Sequence, residues 1–295
     1  MNEHVHVADL VVEEERQQSV FLLPILAAAL ILALIGVIGV ATKGDAKVDD
    51  PLALLGAAPA ALEDAGSARM TMSFTFDGGG IDMSFDAQGA MEFATGATVF
   101  TMELFGETME MRTDGETLWM RMPPSAQVPG VEGEWIAMPF DELTGGAALR
   151  QQVPGLGGTS YFDALLGVND DIEDLGAETV NGVETRHYAF TVDITAATEQ
   201  LPADQRAEME AAFADMGSDL TAVPVEAWLS DDGVPVRQVI TVDVDEDGMV
   251  GTMRMQMDLS DFGVEVDVRP PPAEDIISFD EVPGLEDAIL GSEAA

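Results

Sequence analysis

Residues 69–77 read RMTMSFTFD, with Met70, Met72, Phe74 and Phe76 at every second position and Arg69, Thr71, Ser73 and Thr75 between them. Successive side chains of a strand point to opposite faces, so this alternation describes a half-buried β-strand, not a helix of period 3.6. Gly78-Gly79-Gly80 turns the chain, and Ile81, Met83 and Phe85 repeat the pattern with Asp82, Ser84 and Asp86 outward. Strands joined by so short a turn are antiparallel, because a parallel return needs a crossover of a dozen or more residues.

The signal recurs. Phe100, Met102 and Leu104 alternate with Thr101 and Glu103, and Met109 and Met111 with Thr108, Glu110 and Arg112. Asp114-Gly115 is a hairpin signal, after which Leu118, Met120 and Met122 return and 135–138 closes a first meander. Strands at 177–180 and 186–193, joined by Asn181-Gly182, turn Tyr188, Phe190 and Val192 inward. A last meander runs through 225–229, 236–244, 249–259 and 263–268, and Pro270-Pro271-Pro272 ends it. Two helical stretches interrupt the strands. One is short, begun by Thr159-Ser160; the other, at 202–216, is amphipathic through Ala207, Met209, Ala212, Phe213 and Met216. The expected fold is α+β. It is one strongly curved antiparallel sheet, a half-barrel of about ten or eleven strands over 67–272, with helices over its concave face.

Ahead of this domain, 20–41 reads VFLLPILAAALILALIGVIGVA without a charge. As a helix this run would be about 33 Å long, enough to span a hydrocarbon core of about 30 Å. Glu13, Glu14 and Glu15 precede it where a signal peptide would be basic, which favours an uncleaved anchor, although Gly44-Asp45-Ala46 offers a small-x-small cleavage site. The expected organisation is a cytoplasmic tail at 1–19, a membrane helix at 20–42 and a linker at 43–66 holding at most a short helix. The half-barrel outside the membrane and an acidic tail at 273–295 follow. A membrane-spanning barrel would carry its apolar face outward and needs no helical anchor.

Charge narrows the function. The chain has 12 Lys+Arg against 55 Asp+Glu, a net −43, and Lys43 and Lys47 are its only lysines. Beyond residue 50 there are 9 Arg, no Lys and 47 acids, or 9 − 47 = −38. Nucleic-acid affinity rests on cations that neutralise phosphates, so nucleic acid is excluded as a partner, and so is charge-driven adhesion to anionic lipid. Self-repulsion of this size points to a salty habitat that screens it. With no Cys there is no disulfide, thiolate nucleophile, Cys-bound zinc or acylated Cys anchor.

Catalytic chemistry is not legible. His4 and His6 sit in the tail, and His187 faces out beside Tyr188. No nucleophile elbow, phosphate loop, dinucleotide fingerprint or His-Glu-x-x-His pair occurs. Asp243-x-Asp245-x-Asp247-Gly248 opens like a calcium loop, but its twelfth position is Arg254, and a hairpin turn accounts for it better. No enzyme, cofactor or metal is called for.

The series Asp114-Gly115…Leu118-Trp119-Met120-Arg121 and Trp135-Ile136-Ala137-Met138-Pro139 resembles the LppX/LprG lipoprotein family of actinobacteria, within the LolA-like superfamily. So do Leu175-Gly176-Ala177-Glu178…Asn181-Gly182-Val183-Glu184-Thr185-Arg186-His187-Tyr188, Pro224–Gly233 and Ser260-Asp261-Phe262-Gly263…Pro270-Pro271, covering about 67–275 in all. The resemblance implies an apolar half-barrel cavity holding acyl chains of lipids or lipoglycans crossing the envelope. Those proteins attach through a lipidated Cys, which this chain lacks; the 20–41 helix would replace it. Expected to line the cavity are Met70, Met72, Phe74, Phe76, Met83, Phe85, Met102, Leu104, Met109, Met111, Leu118, Met120, Met122, Tyr188, Phe190, Met253, Met255 and Met257. Seventeen Met suit a surface that accepts varied apolar ligands, and equally a core that fills irregular gaps. The alternative function is a ligand-sensing or protein-interaction module of the envelope, with the 1–19 tail meeting a cytosolic partner.

Overall fold

A computed structural model describes residues 51–78, 81–104, 106–121, 135–139, 172–193, 222–246, 249–278 and 281. These form one α-helix, α1 (Pro51–Ala65), a single 3-10 turn at Ala273–Asp275 and a sheet of twelve strands. The first six are β1 (Ser67–Gly78), β2 (Ile81–Glu92), β3 (Thr98–Leu104), β4 (Glu107–Thr113), β5 (Thr117–Arg121) and β6 (Trp135–Pro139). The others are β7 (Glu173–Val180), β8 (Val183–Asp193), β9 (Ala222–Ser230), β10 (Pro235–Glu246), β11 (Met249–Ser260) and β12 (Ile276–Ser278).

The order β12-β6-β5-β4-β3-β2-β1-β11-β10-β9-β8-β7 joins two meanders through the pairing of β1 with β11. In that pairing Met70, Met72, Phe74 and Phe76 stand opposite Leu259, Met257, Met255 and Met253. Two tight turns behave as their residues dictate. Asn181 and Gly182 both take positive φ, 53° and 81°, as a two-residue hairpin requires. Asp114 closes the β4–β5 turn by accepting the Glu116 and Thr117 amide hydrogens at 2.9 Å each.

The expected fold class needs correction. The sheet is mixed, because β12 runs parallel to β6, with Ile276, Ile277 and Ser278 opposite Trp135, Ile136 and Ala137. It has twelve strands rather than ten or eleven. One α-helix accompanies it among the described residues, and the helices expected at 159–166 and 202–216 lie outside them. Residues 264–268 form no strand: Asp261 and Gly263 take φ 47° and 79°, turning the chain out of the ladder after β11. The transmembrane helix is likewise unsupported. No helix among the described residues is long and apolar enough to cross a membrane. α1 has 15 residues, about 22 Å, carries Glu63 and Asp64, and is committed to the sheet. The expected span at 20–42 lies outside the described residues.

α1 is held by packing, since Gly56 and Pro59 are poor helix formers. Leu54, Leu55, Ala58 and Leu62, about one turn apart, join the sheet's main apolar cluster. Gly66, at φ 78°, ends the helix with its amide hydrogen shared between the Leu62 and Glu63 carbonyls, at 3.0 and 3.1 Å. On leaving β11 the chain is pinned to the start of β1, where the Gly263 amide donates to the Ser67 carbonyl and the Ser67 hydroxyl to the Val264 carbonyl. It then crosses to β6, and on the way its Arg269 carbonyl accepts a hydrogen bond from Arg112 Nη1 at 3.3 Å.

Candidate functional site

Register divides the sheet into two chemically different faces. On one, cross-strand neighbours form apolar rows perpendicular to the strands. The first row is Phe190, Val225, Ile240, Met255, Phe74 and Phe85, continuous from β8 to β2. The second is Tyr188, Ala227, Gln238, Met257, Met72, Ala87, Met102 and Met109, from β8 to β4. The third is Leu259, Met70, Gly89, Phe100, Met111, Met120, Ile136 and Ile277, from β11 to β12. Val242, Met253, Phe76 and Met83 make a fourth.

Every Met whose side chain is described lies on this face, Met91 and Met138 included. We call it the methionine face. Directly opposed apolar pairs are the unit that stabilises a sheet, and the rows are built from little else. Phe74 and Phe85 stack with centroids 4.6 Å apart. Gly89 makes room for the Phe100 ring: a Cβ there would lie 2.7 Å from Phe100 Cδ2 and 2.2 Å from the Val99 carbonyl oxygen.

The expected lining residues fall on this face in two groups. Met70, Phe74, Phe76, Met102, Tyr188, Phe190, Met253 and Met255 are buried. Met72, Met83, Phe85, Met109, Met111 and Met257 are half-buried against the same cluster, and Leu118 and Met120 are half-buried as well. Met122 and the side chain of Leu104 lie outside the described residues. Not foreseen were Val223, Val225, Ile240 and Val242, which extend the face across β9 and β10, nor the helix residues Leu54, Leu55, Ala58 and Leu62. Alternation in 222–244 and the three-to-four spacing in 51–65 carried that signal. Gln238 is a polar interruption within the second row, opposite both Ala227 and Met257. Burial pushes the Tyr188 phenol above its ordinary range, and the Asp174 carboxylate across from it adds to the shift.

The other face is polar but carries all three tryptophans. Trp228 lies against His187, rings 3.9 Å apart, and donates Nε1–H to Glu178 Oε2 at 2.7 Å. His187 Nε2 is 2.8 Å from Glu226 Oε2, and Arg237 bonds Asp258 at 2.6 Å while lying 5.8 Å from the Trp228 ring. His187 therefore faces away from Tyr188 and is engaged by a carboxylate and an indole. Trp119 and Trp135 are buried on this face too, and Arg112 sits 4.5 Å over the Trp135 ring while bonded to Glu110. Of the acidic repeat at 243–248, Asp243 accepts the Thr252 hydroxyl at 2.8 Å, directly across the β10–β11 ladder, and Asp247-Gly248 lies outside the described residues. Among the described residues no three His, Cys, Asp or Glu side chains gather as a metal site.

No family model matches the chain, and no curated protein matches it. Solved structures similar to it include lipoprotein LppX of Mycobacterium tuberculosis, 18% identical, with a TM-score of 0.45 over 75% of this chain and 100% of that one. LprF of Mycobacterium bovis is 17% identical, with a TM-score of 0.43 over 75% and 97%. A LolA superfamily protein of Nitrosomonas europaea is 11% identical, with a TM-score of 0.28 over 70% and 92%.

Proposed function

We propose that this protein is a binding protein rather than an enzyme, and that it holds the acyl chains of a lipid or lipoglycan against its methionine face during envelope lipid transport. The observation that carries the reading is the apolar tiling of one face over strands from both meanders, interrupted by a polar side chain at Gln238. Half of its described methionines are left half-buried, where an added apolar surface would remove them from water. Burying apolar area contributes about 25 cal/mol per Å², so a long acyl chain has enough surface to bind by this means alone. Met adds polarisable, flexible contacts that adjust to chains of different shape. The sequence resemblance to LppX/LprG lipoproteins supports the same ligand class. Native mass spectrometry of the full chain, purified without detergent, tests it. Co-purified lipid is expected, whereas ligand-free protein in repeated preparations that also refuses added fatty acid would favour an interaction module.

A further inference from the structure

We infer that the methionine face is also a peroxide-sensitive site, at which oxidation of its half-buried methionines switches off the ligand holding proposed above, on which this inference rests. Three observations converge. The described methionines are gathered on one face instead of scattered, so oxidation concentrates its effect there. They divide by exposure: Met70, Met91, Met102, Met138, Met253 and Met255 are buried, while Met72, Met83, Met109, Met111, Met120 and Met257 are only half-buried. And the half-buried pair Met72 and Met257 stand directly opposite each other at the junction of the two meanders, in the middle of the second row. Susceptibility of a thioether follows its exposure, so this central pair reacts before the buried set.

The step is balanced with a hydroperoxide as the oxidant. The thioether sulfur attacks the terminal peroxide oxygen, an S–O bond forms as the O–O bond breaks, and the departing oxygen leaves as water or alcohol once protonated. Sulfur loses two electrons and the peroxide gains them. The product is a polar, chiral sulfoxide in a row whose other members, Gln238 aside, are apolar. Across the strand from Met257 stands Gln238, so an oxidised Met257 side chain has a polar neighbour there, while an oxidised Met72 faces the apolar Ala87 on its other side. An acyl chain on that row would have to desolvate the new dipole, which disfavours binding.

The test treats the full chain with hydrogen peroxide, maps sulfoxides by peptide mass spectrometry over time, and measures uptake of an environment-sensitive fluorescent fatty acid at each point. Sulfoxide is expected at Met72 and Met257 several-fold faster than at Met70, Met253 and Met255, with probe affinity falling about tenfold in step. A Met72→Leu/Met257→Leu variant, a nearly volume-conserving exchange, is read against its own untreated affinity and should keep a several-fold larger fraction of it through the early phase than wild type does. Uniform or inverted oxidation order, or unchanged uptake by oxidised protein, overturns this inference while leaving the binding reading intact. Untreated protein that takes up no probe overturns both.

Discussion

Phe74 on β1 and Phe85 on β2 face each other across the ladder and stack with their ring planes 19° apart. Phe74 is 4% exposed, and on its other side it meets Met255. Removing that ring leaves a cavity where both meanders join. Phe74→Ala should cost about 3–5 kcal/mol by denaturant unfolding. Thr75→Ala, one residue along on the exposed polar face, should change stability by no more than about 0.5 kcal/mol. Equal effects would show that the two faces are not as different as the register makes them.

Gly89 tests packing rather than burial. Its missing Cβ is what lets the Val99 backbone approach, and a backbone oxygen cannot swing aside as a side chain would. Gly89→Ala should therefore destabilise by about 1–3 kcal/mol or more, measured by thermal or denaturant unfolding. Gly182→Ala is different, because nothing lies within 4 Å of its Cβ and only the positive φ opposes it. Unfolding of Gly89→Ala at the wild-type denaturant midpoint would contradict the close approach of the Val99 backbone to Gly89.

Like charges meet directly on the polar face. Asp77 stands opposite Asp82, and Asp86 opposite Glu103, in a chain of net charge −43. Directly opposed like charges are destabilising, by about 0.2–1 kcal/mol per pair. Stability should rise with salt, and Asp82→Asn should stabilise at low ionic strength with the gain disappearing near 1 M, where the screening length is about 3 Å. A salt-independent gain would point to a cause other than charge.

Arg186 holds the Asp174 carboxyl below its ordinary range, chiefly through a hydrogen bond from Nε at 2.8 Å, with the Gly176 amide helping. A carboxyl whose folded pKa is depressed favours the folded state above its unfolded value of about 3.9 and loses that contribution as pH falls through the folded value. In an NMR titration Asp174 should titrate below about 3.9, and Arg186→Gln should bring it back up. An unshifted midpoint in the variant would remove Arg186 as the cause.

The faces were legible in the sequence because strand periodicity is local. Once Met70, Met72, Phe74 and Phe76 alternate with Thr71, Ser73 and Thr75, their common side follows from the pleat alone. Partnership was not legible. Nothing in 249–260 says that it pairs with 67–78 rather than with another strand, because register between distant strands is set by packing of the whole face. The parallel β12 was hidden for a further reason. Three residues, Ile276 to Ser278, give no periodicity, and their place beside β6 depends on the crossing segment held at Ser67 and Arg112. α1 was obscured by Gly56 and Pro59, although Leu54, Ala58 and Leu62 already marked one apolar side. The tryptophan face was missed because Trp119 and Trp228 each sit among the apolar neighbours that drew the eye to the opposite side.

Where a ligand chain lies can be read by photocrosslinking. A diazirine-tagged fatty acid, irradiated with the full-length protein and mapped by peptide mass spectrometry, should label Met72, Met109 and Met257 and their row neighbours, and label should vanish when unlabelled fatty acid competes. Saturable crosslinks confined to the Thr71, Ser73 and Thr75 side, or no saturable labelling at all, would contradict acyl-chain holding by the methionine face.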